Sequence, residues 1–427
     1  PRGKVPAPSV KKSDGLVMRR WRVDKSPAAP AEPGSAPITE FLPSVRLGWG
    51  VRLDSRLLHL ADNLTDVTPI DPRIVRIAQR IVAPLPKRQK EARARRLYRW
   101  VLENVEDGKE TDGRRVIVGK NGNRWRGFSA LCRAVGIQAD FAVARNRLAP
   151  KPASELERAS QFAEPLLRIT TEKGAVWLTL ASKFAPFGYV PVEIRGVPAY
   201  ALVDPKPVQV TTPVSGTEDS VVYDGDIKLA ANGSAKLTLS QRFTGKYAMA
   251  IRAAIAQLSE AQLRDVVESR LLGRALRGAH LDRFEFEGRD DLDAPLVLKM
   301  KANMSAFAQV TGGELMIAPP FSPQISQLAT LPERETPLLI GETTHQEVTV
   351  RIHLPTGATA LVPPPQTVKQ RDMEVQVKDR SKKSVITLDR NLSLPAGRVQ
   401  PGEYAAFVAF ARRADDALNA TIRVRLR

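Results

Sequence analysis

The stretch Gly119–Ile137 constrains this chain more than any other. Phe128, Leu131, Cys132 and Val135 fall at i, i+3, i+4 and i+7, one apolar stripe of a buried helix. Gly136 stands where a left-handed residue closes a helix, and Ile137 can fold back on the stripe. Residues 137–143 then alternate, with Ile137, Ala139, Phe141 and Val143 on one side, as in a strand.

Two helices are expected before this stretch. Asp71-Pro72 supplies an N-cap and a proline at the first helical position, and Ile74, Ile77, Ala78, Ile81 and Val82 form the apolar face. Pro84 and Pro86 stop it. The second helix runs from about Lys87 to Val105 and buries Ala94, Leu97, Tyr98, Val101 and Val105.

The tail Leu131-Cys132-Arg133-Ala134-Val135-Gly136-Ile137 resembles the end of the active-site helix of bacterial transglutaminase-like domains, members of the papain-like cysteine fold. In that family a Gly-Asp-Cys opens the helix. Counting back without a gap puts Gly119 at the family's Gly, Lys120 at its Asp and Asn121 at its nucleophilic Cys. Downstream, Phe162-Ala163-Glu164 is similar to the family's Phe-Asn-His, Trp177-Leu178-Thr179 to its Trp-Leu-Asp, and Phe184-Ala185-Pro186-Phe187-Gly188 to its Tyr-Ala-Pro-Phe-Gly loop. The resemblance, covering residues 70–205, therefore implies a domain with degenerate triad positions Asn121, Glu164 and Thr179. An amide neither ionises nor attacks a carbonyl, so Asn121 cannot form a thioester. The expected protein is a non-catalytic pseudoenzyme that acts as a binding or scaffold module. The alternative is an acyl-transfer enzyme of the transglutaminase or cysteine-peptidase kind with a rearranged nucleophile, Ser129 or Cys132. Glu164 would then be the base, because no His lies within residues 60–279.

The expected fold class is α+β: a transglutaminase-like domain followed by an antiparallel β-sandwich region with a few helices. Residues 1–60, with a strand at Val17–Trp21, a Pro/Ala-rich linker over 26–37 and the motif Leu47-Gly48-Trp49-Gly50, are similar to the tail of the β-sandwich that commonly precedes such domains, so the resemblance implies that tail here. The domain itself spans 61–215 and ends near Asp204-Pro205. The remainder, 216–427, is one β-rich region or two divided near 330. Its first signal is the hairpin 221–229 and 234–243 around Ala231-Asn232-Gly233. Helices follow at 246–257 and 259–276, the second capped by Ser259. Strands are expected at 281–287, 296–302, 314–317, 347–354, 374–377, 384–388, 403–410 and 420–426.

Cys132, the single cysteine, reads as a small buried hydrophobe on the stripe. His59, His280, His345 and His353 are scattered and form no metal-ligand spacing, so neither metal nor cofactor is expected. No run reaches the roughly 18 apolar residues of a membrane span. The chain opens on Pro1 without an initiator Met or apolar leader and is read as a fragment or processed product; the resemblance favours a periplasmic or extracellular setting.

The net charge is +19, and its excess is local. Between Lys87 and Lys151 stand seventeen Lys and Arg against seven acids. Arg93, Arg96 and Arg99 are read as sharing helical faces, with Lys120, Arg124 and Arg126 around the lost nucleophile. These six form a candidate polyanion surface for an acidic polysaccharide, a lipid headgroup or an acidic protein. Nucleic acid is not favoured, because aromatics are sparse and no recognition motif is visible.

Overall fold

The structure is a computed structural model that describes residues 5–25, 28, 30–45, 47, 52–64, 70–149, 161–203, 206–216 and 218–426. Lys151, Asp204-Pro205 and the 48–50 motif lie outside them. Within them the architecture is α+β, with eight α-helices and a β-rich C-terminal half.

Five helices build the first unit: α1 (Leu53–Leu64), α2 (Pro72–Val82), α3 (Lys90–Asn104), α4 (Gly113–Gly119) and α5 (Arg124–Ala134). α2 begins where expected, since the Asp71 carboxylate accepts the Arg73 N–H at 2.8 Å and Pro72 stands at the first helical position. α5 buries Phe128, Leu131 and Cys132 completely, against Leu97, Tyr98 and Val101 of α3. Behind the helices lies an antiparallel sheet in the order Gly174–Leu178, Glu164–Thr171, Ala139–Ala144, Pro198–Leu202, Val208–Thr211. The central strand is buried on both sides from Phe141 to Ala144. Phe141 and Val143 join the helical core, while Ala142 and Ala144 face a smaller core containing Trp177, Val190 and Ile194. Alanines on that second face made the strand read as one-sided in sequence.

The unit begins earlier than residue 61. Leu53, Leu57 and Ala61 of α1 pack into the same core, so the apolar face of α1, and not the proline-rich segment, sets the boundary.

In the C-terminal half one sheet runs through the order Ala279–Glu287, Leu296–Met304, Ala235–Phe243, Val221–Leu229, Thr344–His353, Val385–Leu394, Met373–Val377, Gln366–Gln370, with Arg380–Lys382 also against Val385–Leu394. The expected hairpin is present: Asn232 Oδ1 accepts the Ser234 N–H at 3.1 Å, and Gly233 takes φ +83°. A four-stranded sheet (Ala308–Thr311, Glu314–Ile317, Ile422–Arg425, Thr359–Leu361) shares a core with it, giving sandwich packing. Helices α6 (Gly245–Ile255) and α7 (Glu260–Val266) join that core, and α7 runs on as a π-helical turn, Val267–Leu272. Ser259 and Gln262 form the capping box of α7.

Two expectations for this half need correction. The region is not wholly antiparallel, because Thr344–His353 pairs in parallel with Val221–Leu229, and this pairing carries one sheet across residue 330. What divides there is the core: a second cluster unites Val375, Leu392 and Leu394 with α8 (Pro401–Leu418). α8 also replaces the strand expected at 403–410. Tyr404, Val408 and Phe410 alternate as a strand would. However, the residues buried are Tyr404, Phe407, Phe410, Ala411, Ala414, Ala417 and Leu418, which recur at helical spacing. Pro401 at the first helical position and the capping box of Gln400 and Glu403 were the sequence signals for a helix.

Near the N-terminus, Ser9–Ser13 and Leu16–Arg20 form a hairpin exposed along its whole length. The segment read as a linker is docked over its described part. Leu339 N–H donates to Gly34 O at 2.8 Å and Ala36 N–H to Pro337 O at 3.2 Å, while Arg334, buried, donates to Pro33 O at 2.7 Å. The Glu32 carboxylate accepts the Glu335 and Thr336 N–H groups and the Thr336 hydroxyl. Desolvation pulls its pKa up, but these hydrogen bonds and the Arg334 charge outweigh it and hold the group below its usual range. A depressed folded-state pKa contributes stability above the unfolded value of about 4.3, lost as pH falls through the folded one. Protection of the Ala36 and Leu339 amides from hydrogen exchange, corrected for intrinsic rates, should therefore fall on acidification through that window. In Glu32→Gln the fall should be flattened; an unchanged pH profile in that variant would remove Glu32 from the account.

Candidate functional site

The turn before α5 is built by its backbone. Glu106 N–H donates to Lys120 O at 3.0 Å, Gly122 N–H to Glu106 O at 2.9 Å, and Asn123 N–H to Glu110 O at 2.8 Å. Lys120 closes α4 in the left-handed region at φ 53°. Asn123 is the N-cap of α5, its Oδ1 accepting the Arg126 N–H at 3.2 Å. Asn121 thus lies two residues before the cap and is exposed, so it does not open the helix as the resemblance implies. A side chain there lacks the helix-terminal N–H groups that would stabilise an anion.

Glu164 opens its strand opposite Ala144 and accepts a hydrogen bond from Asn146 Nδ2 at 3.1 Å. Thr179 follows Leu178, whose strand partner is Leu167, three residues along from Glu164. It is buried; its hydroxyl oxygen accepts the Ala181 N–H at 3.2 Å and its carbonyl the Tyr98 hydroxyl at 2.9 Å. Tyr98 also reaches Ala185 O at 3.1 Å, and burial, with the Asp293 charge nearby, raises its pKa and keeps it a donor. Glu164 and Thr179 therefore share one end of the sheet. The polar contacts described for the turn around Asn121 run to Glu106 and Glu110.

The other proposed nucleophiles are no better placed. Burial pushes the Cys132 thiol far up, so no thiolate forms. Ser129 lines a cleft with Gln138, Asp140 and Phe141 at the start of the central strand. Glu164 is at the other end, opposite Ala144, three residues or roughly 10 Å beyond Phe141.

The six cations do not form one surface. Arg93 is buried, beside Ala94 and Leu97 on the inner side of α3, and donates to Lys87 O at 3.4 Å and Val135 O at 3.5 Å. Arg124 is also buried and donates to Val105 O at 2.8 Å. Arg126 bonds the carbonyls of Asn63 and Leu64 at the end of α1 and lies over the Phe141 ring. Arg99 is ion-paired with Asp291 and Asp293. These residues hold elements together, which is why a charge count overstated the surface. Arg96 and Lys120 remain exposed.

Sequence reasoning missed the loop that meets Arg99. Residues 288–294, between strands Ala279–Glu287 and Leu296–Met304, reach over to α3. Arg252, almost fully buried, gathers the carbonyls of Gly288, Asp291 and Ala294 at 2.6, 2.7 and 2.8 Å. Asp293 then pairs with Arg95 at 2.8 Å and accepts the Phe187 N–H at 3.0 Å. Between α3, the Glu172-Lys173 turn and Asp293 opens a cleft of about 850 Å³. The run Asp290-Asp291-Leu292-Asp293 was visible in the sequence, but nothing there pointed it at α3.

The four histidines lie apart, and no group of His, Cys, Asp and Glu among the described residues is arranged to hold a metal. No helix among them is long and apolar enough to cross a membrane.

A family described as a domain of unknown function with a solved structure, DUF3858, matches residues 313–424. Over the whole chain the fold is similar to a crystal structure from Parabacteroides distasonis ATCC 8503 described as that of a "putative protease". The TM-score is 0.57 at 10% identity, over 99% of this chain and 68% of that one. No curated protein matches the chain.

Proposed function

We propose that residues 53–211 form a transglutaminase-like domain of papain-like fold without acyl-transfer chemistry, and that the protein serves as a non-catalytic binding or scaffold module. The carrying observation is that the one thiol, Cys132, is sealed in the core while position 121 holds an exposed amide outside the helix. The single imidazole of this unit, His59, is exposed on α1 and bonds the Asn63 side chain at 3.2 Å, with no contact to Cys132 or Asn121 among those described. The acyl-transfer alternative with Ser129 and Glu164 is disfavoured by their placement at opposite ends of the central strand. Binding of a broad polyanion is also disfavoured, because four of the six expected cations are committed to internal carbonyls or carboxylates.

The test pairs turnover with labelling. Amine incorporation and peptide cleavage should both be undetectable, and a thiol probe should label Cys132 only as fast as the protein unfolds. Rapid native labelling accompanied by loss of a measurable activity would overturn the reading.

A further inference from the structure

The cleft along α3 has a charge arrangement that no anionic ligand explains. Four Lys and Arg side chains line it against four Asp and Glu, so it has no net charge at neutral pH. Most of these charges satisfy one another. Arg95 pairs with Asp293 at 2.8 Å and Glu91 at 3.6 Å, with its guanidinium 4.6 Å from the Phe187 ring centre. Arg99 pairs with Asp293, and Lys173 with Glu91 at 3.2 Å. Glu172 accepts the Glu91 N–H at 3.2 Å.

Two charges are left over. Arg96 and Glu103 are exposed and make no hydrogen bond or ion pair with any described residue. They are seven residues apart, so they sit on one face of α3 separated by two turns, about 10 Å along the axis. Trp100 stands between them, four residues after one and three before the other, and is half-buried with Ile81 and Leu85 on the cleft wall. The helix thus offers a free cation, an indole and a free carboxylate in a line.

We propose that this cleft binds a short zwitterionic peptide, its terminal carboxylate at Arg96, its terminal ammonium at Glu103 and an apolar side chain on Trp100. An extended tripeptide spans about 10 Å, the same as the rise along α3 between the two residues, and their long side chains can adjust to its ends. The volume falls within the range of pockets that enclose ligands of that size. A peptide with both ends charged replaces the solvent of both unpaired groups at once, whereas an anion meets Glu103 as a like charge. The balanced lining supplies no long-range attraction, so selectivity comes from the two ends. The inference rests on the non-catalytic reading in that the peptide is held and released unchanged.

The probe is Ala-Leu-Ala with free ends, compared with its N-acetylated, C-amidated and doubly blocked forms, by calorimetry and by chemical shifts of the Trp100 indole. Blocking either end should weaken binding about tenfold, or 1.4 kcal/mol. Arg96→Gln should weaken the free-acid peptide and leave the amidated one unaffected; Glu103→Gln should do the same for the free and acetylated amines. Both residues are exposed, so neither variant should disturb folding. The inference is overturned if the doubly blocked peptide binds as well as the free one, or if no peptide binds. It is also overturned if a sulfated oligosaccharide, but not the peptide, shifts the indole. Cleavage of the peptide, read as new amino groups, would instead defeat the non-catalytic reading and leave the charge pairing standing.

Discussion

Asp379→Ala should destabilise the C-terminal half by about 3–5 kcal/mol, the usual cost of leaving one member of a buried ion pair alone. Arg390 and Asp379 have side chains 2% and 0% exposed. Arg390 Nε donates to Asp379 at 3.1 Å, and Nη1 reaches Leu418 O and Ser322 Oγ. Without the carboxylate, the guanidinium keeps only neutral acceptors in a site closed to water. Replacing both residues, Asp379→Leu with Arg390→Met, should cost far less and can even stabilise, because no charge is then buried. Urea unfolding followed by hydrogen exchange of the strand Val385–Leu394 distinguishes the cases. A single-variant loss below about 1 kcal/mol would place the pair among surface ion pairs and contradict its burial.

Phe128→Ala is the second large effect, expected at about 3–5 kcal/mol for the first unit. The ring is fully buried on α5 and meets Tyr98 edge-on at 5.9 Å. Its removal leaves a cavity facing the tyrosine that ties Thr179 and Ala185 to α3. Phe128→Leu, which keeps most of the volume, should cost clearly less. If both variants shifted the urea midpoint equally, the cavity would not be the cause.

These two residues show what reading the chain could and could not reach. Phe128 belongs to a stripe at helical spacing, and its burial was legible from the three other members, Leu131, Cys132 and Val135. Arg390 occupies an inward position of a strand, where alternation calls for an apolar side chain. The strand was therefore expected to stop at Leu388, and it continues to Leu394 because Asp379 and the end of α8 compensate the charge. Asp379 stands eleven residues back, across a hairpin, and Leu418 twenty-eight residues on, and no local pattern marks either as the partner. The candidate surface failed in the same way: Arg93, Arg124 and Arg126 counted as free charge until their carbonyl acceptors were in view.

Local rules determined what is local. The capped start of α2, the buried stripe of α5, the Asn232-Gly233 hairpin and the Ser259 cap each follow from residues a few positions apart, where backbone geometry leaves few choices. Tertiary structure alone decided the rest. The parallel pairing of Thr344–His353 with Val221–Leu229, the docking of Glu32 on Thr336 and the reach of Asp291 and Asp293 to α3 join groups up to about three hundred residues apart. A charge or a strand edge carries no mark of its distant partner. Only the packed chain shows which arginines hold it together and which, like Arg96, are left exposed without a described partner.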